Sequence, residues 1–489
     1  MNNPIEKETG FKGIALGASA LILFLATFIF AIIVQSERVE FALILVAFPF
    51  LIAVIWMIFS NPMIGIFSVV VFGFFANGLN RYIPSVPFGL GIDGLLVLTY
   101  VSLFFFSFNR SIKWISAMRD ITLLLTIWFA YALVQLLNPE KISTEAWFYA
   151  MRGVSLYIFL MVPLVLLLFR KYKDVDIFLY IWGIISIIGT IKGFVQLNIG
   201  LDPWEKAWLY TGGPSTHIIF GKLRVFSFYS DAGQYGAAQA HTGLVGAIIF
   251  INARTLKERI FFGIMAITGF YGMFISGTRG AIAVPFGGFL LYLILTRNVK
   301  MITVGLIMGF MVFVFFKYTS IGSGIYAIQR MRTAFNPNDP SLQVRLTNQR
   351  ILRVYLATRP LGGGIGSAGN WGLRFSPNGF LANVPTDSWY VQIWAEQGII
   401  GLVLHIAILV YILGKGSFLA VYRVTHPVLQ AKLFAMASGI LGIMVASYSN
   451  GILGQLPTGP LIYVSMGLLF LAKDLDEDAN NTDPINEEN

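Results

Sequence analysis

Apolar runs long enough to cross a lipid bilayer recur along this chain, and they limit its possible folds more than any other feature. A membrane-spanning helix needs about 20 mostly apolar residues, and an apolar run of that length is rarely anything else. We identify fourteen such runs, near residues 13–35, 40–60, 62–78, 92–108, 120–137, 148–169, 176–198, 232–252, 258–276, 280–296, 301–318, 389–413, 431–449 and 457–472. These runs predict an all-α polytopic membrane protein with about 14 transmembrane helices.

The composition excludes several other classes of protein. Of the 489 residues, 56% are hydrophobic and only 12% are charged, whereas about a quarter of the residues in a soluble globular chain are charged. A soluble enzyme, a nucleic-acid-binding module and a disordered protein are therefore excluded. The net charge of +10 does not indicate a nucleic-acid partner, because the basic residues are scattered between apolar runs. The absence of cysteine excludes a disulfide framework, a thiolate metal site and a cysteine nucleophile.

The distribution of Lys and Arg predicts the orientation of the chain, because cytoplasmic loops carry an excess of positive charge. With the N-terminus in the cytoplasm, five successive inward connections are basic. Their basic residues are Arg110, Lys113 and Arg119; Arg170, Lys171 and Lys173; Arg254, Lys257 and Arg259; Arg297 and Lys300; and Lys415 and Arg423. The three short outward loops offer only Arg38, Arg81 and Lys141. Both termini are therefore expected inside the cell.

This topology divides the chain into four segments. Residues 1–318 would hold transmembrane helices 1 to 11, with an outward loop near 199–231. A large extracytoplasmic loop would follow at 319–388, and helices 12 to 14 would lie within 389–472. Residues 473–489 contain many carboxylates and are expected to form an acidic, solvated cytoplasmic tail.

The large outward loop is predicted to be folded and partly helical. It carries seven arginines against Asp339 and Asp387, and it has too many large aromatic side chains for a disordered segment. Ser341 is a candidate N-cap for a helix that ends near Thr358. The Gly-rich turn at 361–367 could bring backbone N–H groups close to an anion, or it could be a plain turn after the helix.

Three charged residues at predicted outer edges of the membrane are candidates for a functional site. Arg224 and Arg279 run against the positive-inside bias, and a guanidinium binds phosphate or carboxylate in a bidentate manner. The alternative is that they extend to lipid headgroups. Asp387 stands at the start of the twelfth predicted helix. It could be a partly desolvated carboxylate with a shifted pKa, or the N-cap of that helix, and both can be true at once. No paired His/Asp spacing indicates a metal site.

Three motifs in this order resemble the O-antigen ligase and O-antigen polymerase superfamily of bacterial membrane glycosyltransferases. They are the Ser-Gly-Thr-Arg-Gly turn at 276–280, the Arg-Pro-Leu-Gly-Gly-Gly-Ile-Gly segment at 359–366, and Asp-Ser-Trp-Tyr at 387–390 with Ala-Glu-Gln-Gly-Ile-Ile-Gly at 395–401. The large loop lies between the first and third motifs, as it does in the family. The resemblance is clearest over about 220–415.

The resemblance implies a GT-C-like helical fold in the bacterial inner membrane, with the active site facing the periplasm. Proteins of this family act on glycans linked to undecaprenyl diphosphate. A ligase transfers the glycan to lipid A–core, and a polymerase transfers it to a second lipid-linked repeat unit. Many ligases have a His-Asn pair where this chain has Asp387-Ser388, so both activities stay open. Neither nucleic acid nor a cofactor is expected, and family ligases work without metal.

The family places arginines on the diphosphate, and the matching positions here are Arg224 and Arg279. We expect catalysis by Asp387, which would accept the proton of the attacking sugar hydroxyl, and by Arg279, which would stabilise the leaving diphosphate. The expected substrate-binding residues are Arg224, Arg345, Arg350, Arg353, Arg359, Gly364 and Gly366.

The alternative interpretation is a flippase for lipid-linked oligosaccharides or a related polysaccharide transporter. Such proteins place charged groups near the middle of the membrane and repeat interrupted helices in matching halves. Lys192 is the only clear cation candidate inside a predicted span, and the two halves show no obvious repeat. A transporter also gives no reason for an arginine-rich loop on one side.

Overall fold

The structure is a computed structural model that describes residues 39–109, 112–212, 217–219, 221–324, 326–333 and 339–482. The chain divides into two compact units. The smaller unit comprises Met1–Ile64 and Leu98–Asn109, and the larger comprises Gly65–Val97 and Arg110–Asn489.

Helices make up most of the described chain. The α-helices are α1 (Val39–Ser60), α2 (Met63–Tyr82), α3 (Phe88–Asn109), α4 (Asp120–Val134), α5 (Thr144–Met151), α6 (Tyr157–Leu168), α7 (Tyr172–Asn198), α8 (Pro203–Gly212), α9 (Ala232–Asn252), α10 (Leu256–Ile275), α11 (Ala283–Thr296), α12 (Val299–Tyr318), α13 (Tyr326–Arg332), α14 (Pro340–Leu356), α15 (Gly369–Phe375), α16 (Trp389–Tyr422), α17 (Pro427–Ala446), α18 (Thr458–Phe470) and α19 (Ala472–Thr482). A π-helical segment, Arg152–Leu156, joins α5 to α6. Two short antiparallel strands, β1 (Ile218–Ile219) and β2 (Lys222–Leu223), precede α9.

Within the smaller unit, the end of α1 lies beside the end of α3. The Ser102 hydroxyl donates a hydrogen bond to the Ile58 carbonyl at 2.7 Å. Large apolar side chains such as Trp56 and Phe108 are about 70% exposed (69% and 70%). Exposed apolar surface of this kind is expected where a helix faces lipid rather than water.

Ten helices in the described residues are long and apolar enough to cross a membrane, and an eleventh is possible if one bent pair counts as a single span. The fold is therefore an all-α polytopic membrane protein, as predicted. The ten correspond to ten of the fourteen predicted spans. The predicted run at 13–35 lies outside the described residues. The run at 40–60 corresponds to α1, whose apolar portion Phe48–Ser60 is shorter than a full span.

The other two predicted spans differ from the ten for physical reasons. Helix α9 has the expected length, but it is rich in Gly, Ala and Gln and is buried along nearly its whole length. Its backbone approaches α10 so closely that a Cβ on Gly269 would lie 2.4 Å from the Gly243 nitrogen. Helix α9 therefore contacts protein rather than lipid, which explains its lower hydropathy. Helix α18 ends at Phe470, and the chain turns by 74° into α19.

The predicted inward and outward connections gather into two separate groups. In the inward group, Arg119 pairs with Asp474, and the Tyr172 nitrogen donates to the Asp478 carboxylate at 2.8 Å. In the outward group, the Asn138 amide donates to the Leu361 carbonyl at 3.0 Å. This grouping agrees with the pattern of basic residues, whereas the side of the membrane that each group faces stays a prediction.

The predicted acidic tail, residues 473–489, is only partly solvated over residues 473–482. These residues lie in α19, which buries Leu475 and Ala479. The carboxylate of Asp476 accepts hydrogen bonds from the backbone nitrogens of Thr425 and His426 at 2.9 and 2.8 Å. The acidic residues therefore bind backbone donors of the inward connections instead of facing only water. Residues 483–489 lie outside the described chain.

Candidate functional site

The large outward loop is folded, as expected, and packs on the beginning of α16. Its helices and turns share a small hydrophobic core with that helix. The buried members are Leu352, Leu356, Ala368, Leu381, Val391 and Ala395, with Tyr355, Val384 and Trp394 packed around them. This core fixes the loop on the helix that follows Asp387.

Asp339 begins α14 and also binds Arg279. One carboxylate oxygen accepts from the Leu342 nitrogen at 3.1 Å, so Asp339 is the N-cap and the expectation of a cap at Ser341 is wrong. Pro340 occupies the first helical position, where its missing N–H costs nothing. The other carboxylate oxygen pairs with the Arg279 guanidinium, which also donates to the Thr333 hydroxyl at 3.2 Å.

The ion pair with Arg279 affects the ionisation of Asp339. Partial burial acts to raise the pKa of the Asp339 carboxyl, but the hydrogen bond and positive charge of Arg279, together with the backbone hydrogen bonds of Leu342 and Ser341, outweigh it. The pKa is thereby held below its ordinary value of 3.8. Asp339 is therefore charged at neutral pH, and it holds the guanidinium of Arg279 at the N-terminus of α14.

Helix α14 also links Arg279 to Asp387. Arg345 lies six residues after Asp339, about 9 Å along the helix axis. Its guanidinium nitrogen Nε is 3.8 Å from the Asp387 carboxylate. The two residues predicted to be catalytic, Arg279 and Asp387, are therefore both held by ion pairs to one short helix.

Asp387 is not the N-cap of α16. That position belongs to Ser388, whose hydroxyl accepts from the Val391 nitrogen. Asp387 itself adopts a left-handed backbone conformation with φ of 49°, which is uncommon for a residue other than glycine. Its side chain is 45% exposed and lines a cavity. The carboxylate is thus free of the capping role that the sequence left open.

Two adjoining cavities lie at this end of the larger unit. The larger has a volume of about 700 Å³, and the smaller has a volume of about 350 Å³. Both are lined by Trp371, Gln392 and Gln455, so these residues mark their junction. Asp387 lines the smaller cavity. A volume of several hundred cubic ångströms is typical of a ligand-binding pocket.

Arg224 and Arg279 lie next to the smaller cavity but do not line it. The Arg224 guanidinium donates to the Thr278 hydroxyl at 2.9 Å, and that hydroxyl donates to the Ala232 carbonyl at 2.7 Å. Ala232 follows Asp231, which lines the smaller cavity. Arg224 is therefore joined through Thr278 to the residue that follows Asp231, and Arg279 follows Thr278 in the same turn.

The Gly-rich turn packs against a break in α16 at Gly398, whose backbone is not helical. The nitrogens of Gly363 and Gly364 donate to the carbonyls of Ala395 and Glu396 at 2.9 and 2.8 Å. Gly364 and Gly366 both have positive φ, and a Cβ on Gly366 would lie 2.5 Å from the Ala146 carbonyl oxygen. The observed bonds of the turn join it to α16, which agrees with the plain-turn alternative.

The remaining predicted arginines lie outside both cavity linings. Arg359 pairs with Glu140 at 3.1 Å, and its guanidinium stands 4.2 Å from the centre of the Tyr355 ring. Arg350 and Arg353 are exposed on α14. These three side chains are not brought together with Asp387.

The cavities contain two arginines that the sequence reasoning did not select, Arg152 and Arg374. Arg152 is buried and pairs with Asp93 at 2.7 Å. It falls inside the predicted span 148–169, so the expectation that Lys192 is the only clear cation inside a span is wrong, and a charge there is itself a signal of function. Arg374 is one of the seven arginines of the loop. In the sequence, only the neighbouring aromatic residues distinguish it from the other six.

Residues 264–406 match the family model described as O-antigen ligase. This segment supports the resemblance of the chain to the O-antigen ligase and polymerase superfamily. The matched segment runs from within α10 into α16, so it includes the turn at 276–280, the Gly-rich turn and Asp387. In a polytopic membrane protein, a match of this kind supports, in general terms, a glycan transferase of the O-antigen ligase type. No curated protein matches the chain. Within the described residues, no group of three or more His, Asp or Glu side chains is placed to hold a metal ion.

Proposed function

We propose that the protein transfers an oligosaccharide from an undecaprenyl-diphosphate carrier to a sugar hydroxyl of a second glycan at the outer face of the bacterial inner membrane. The observation that carries this proposal is the position of Asp387. It lies within the O-antigen ligase segment, lines a cavity and is linked through α14 to Arg279. The acceptor is a second lipid-linked glycan for a polymerase, or lipid A–core for a ligase.

Asp387 would act as the general base. A sugar hydroxyl is a poor nucleophile until a positioned base accepts its proton in the transition state. The hydroxyl oxygen would form a bond to the anomeric carbon while the bond from that carbon to the phosphate oxygen breaks. Asp387 takes the proton, undecaprenyl diphosphate leaves, and a single displacement inverts the anomeric centre. Arg345 would orient the carboxylate of Asp387.

Arg279 and Arg224 would bind the diphosphate. The leaving group gains negative charge as the glycosidic bond breaks, and fixed guanidinium groups stabilise that charge. Asp339 holds Arg279 in the described structure, so an incoming diphosphate would share or replace this contact. Arg359, Gly364 and Gly366 would act indirectly, by fixing the turn against α16. Arg350 and Arg353 would contact only parts of a glycan that extend beyond the cavities.

The test is the surface polysaccharide of a deletion strain, complemented with wild-type protein or with variants at equal membrane expression. Single repeats on lipid A–core would identify a polymerase, and free lipid-linked polymer with bare core would identify a ligase. Arg279→Ala, Arg279→Lys and Asp387→Asn should each fail to restore the wild-type pattern, and full activity in all three would refute the mechanism. Inward-facing lipid-linked units that accumulate in the deletion strain would instead indicate the flippase alternative.

The resemblance to family ligases also implies transfer without a metal ion. Purified protein should therefore transfer glycan at an unchanged rate in excess EDTA. Loss of activity that is restored by one divalent cation would contradict this part of the proposal.

A further inference from the structure

The larger cavity has a lining suited to sugars. It contains the side-chain amides of Asn77, Asn80, Gln392 and Gln455. Amides both donate and accept hydrogen bonds, as sugar hydroxyls do. It also contains the aromatic rings of Tyr149 and Trp371, which offer flat apolar surfaces beside these polar groups.

Arg374 lies on an aromatic stack at this cavity. The rings of Tyr149 and Trp371 are 5.0 Å apart and within 17° of parallel, and the rings of Tyr149 and Phe375 are 5.6 Å apart at 15°. The Arg374 guanidinium carbon stands 5.2 to 5.9 Å from the centres of these three rings. Contacts between a guanidinium and aromatic rings are favourable, so the stack holds the positive charge in place.

The charge of Arg374 has no partner carboxylate among the described residues, whereas the other arginine of the cavity does. Arg152 pairs with Asp93 at 2.7 Å, and no described carboxylate belongs to the lining of the larger cavity. The larger cavity therefore carries one uncompensated positive charge, on Arg374.

The smaller cavity has no basic residue in its described lining. Its lining contains two carboxylates instead, Asp231 and Asp387, and Asp387 pairs with Arg345. Asp231 caps α9 by accepting from the nitrogens of Gly233 and Gln234. A sugar carboxylate therefore finds a guanidinium partner in the lining of the larger cavity and none in the lining of the smaller one, so the pair of cavities can orient an acidic glycan.

We propose that the larger cavity binds the body of a glycan substrate, and that Arg374 selects glycans that contain a sugar carboxylate. This inference rests on the proposed transferase function. A carboxylate matches the single unpaired guanidinium in charge and in geometry, because the two groups form parallel hydrogen bonds. The reacting sugar would then lie beyond the junction at Trp371, Gln392 and Gln455, beside Asp387.

Binding of defined oligosaccharides tests the inference without any lipid-linked donor. Full-length protein in nanodiscs is titrated with tetragalacturonic acid and with galactotetraose, its neutral carboxyl-reduced counterpart, while tryptophan fluorescence is followed. We expect wild-type protein to bind the acidic probe about fivefold more tightly, and 0.5 M salt to weaken this preference, since an exposed ion pair is screened. Arg374→Gln should bind both probes with the affinity of wild type for the neutral one, and Arg374→Lys should retain part of the preference.

Arg297→Gln is the matched control. Arg297 also stacks on an aromatic ring, Tyr422 at 5.3 Å, but belongs to the inward connections. The Arg297→Gln variant should bind both probes as wild type does. Equal binding of the two probes by wild type, binding of neither, or an acidic preference that persists in Arg374→Gln would each overturn the inference. If the wild-type protein prefers the acidic probe but transfers no glycan, the proposed function alone is refuted.

Discussion

At the scale of single residues, Asp387 carries the main prediction. Its left-handed backbone is tolerated best by Asn and Asp among residues with a Cβ, so Asp387→Asn removes the base without disturbing the local fold. We expect transfer to fall by about 10²- to 10⁴-fold, the usual contribution of a general base. The measurement is the initial rate of transfer between purified lipid-linked donor and acceptor.

The control for Asp387→Asn is Glu477→Gln, which changes an exposed carboxylate of the inward group. It should leave the rate unchanged. A rate for Asp387→Asn within threefold of wild type, at the same unfolding temperature, would show that Asp387 is not the base.

The sequence identified Asp387 but could not separate its two possible roles. Asp387 and Ser388 are both good N-cap residues, and only the backbone shows that Ser388 is the cap. The sequence also missed Arg152, because one charge in a long apolar run contributes little to a hydropathy pattern. Its partner Asp93 lies on a different helix, and no local signal joins the two.

At the scale of elements, Asp339 performs two tasks that substitution can separate. Asparagine can still cap α14 but cannot pair with Arg279, whereas alanine does neither. We expect Asp339→Asn to lower the unfolding free energy by roughly 1–2 kcal/mol, and Asp339→Ala to lower it by about 1 kcal/mol more. Thermal unfolding in detergent measures both, and equal stabilities for the two variants would contradict the capping role.

The same residue gives a prediction about pH. The pKa of Asp339 is lower in the folded protein than its ordinary value of 3.8. Its stabilising contribution is therefore fully present above that ordinary value and is lost as pH falls through the lower folded value. The stability gap between wild type and Asp339→Asn should stay constant from pH 7 to about pH 5 and shrink in stronger acid. A gap that widens towards low pH would exclude this ion pair as its source.

The break in α16 gives a matched pair of glycine substitutions. Gly398 has φ of 68° and ψ of −170°, and a Cβ there would lie 2.0 Å from the Pro360 carbonyl oxygen. Gly414 lies in the same helix with no atom within 4 Å of an added Cβ. We expect Gly398→Ala to destabilise the protein by about 3 kcal/mol or more, and Gly414→Ala to be neutral or to stabilise it by about 0.5–1 kcal/mol.

Thermal unfolding of the two glycine variants shows whether the break at Gly398 is required for stability. If Gly398→Ala unfolds at the wild-type temperature, the contact between the Gly-rich turn and α16 is not needed for stability. The sequence placed both segments in motifs but could not show that they pack together, because their contact joins residues far apart in the chain.

At the scale of the whole molecule, hydropathy located lipid-facing and buried helices alike but did not distinguish them. Helix α12 exposes many large apolar side chains and was recognised as a span. Helix α9 was also predicted as a span, but its Gly, Ala and Gln residues pack against protein along nearly its whole length. The docking of α19 was missed for a related reason. In the sequence its carboxylates predict a solvated segment, because the backbone donors that they bind belong to a distant part of the chain.

The orientation of the two groups of connections is the prediction on which the functional proposal depends most. The chain has no cysteine, so one introduced cysteine is its only thiol. Thr347→Cys places a thiol on the exposed surface of α14, and Glu477→Cys places one on α19. We expect a membrane-impermeant maleimide to label Thr347→Cys in spheroplasts and to label Glu477→Cys only after lysis. The reverse pattern would place Asp387 and both cavities at the cytoplasmic face, where the proposed periplasmic transfer could not occur.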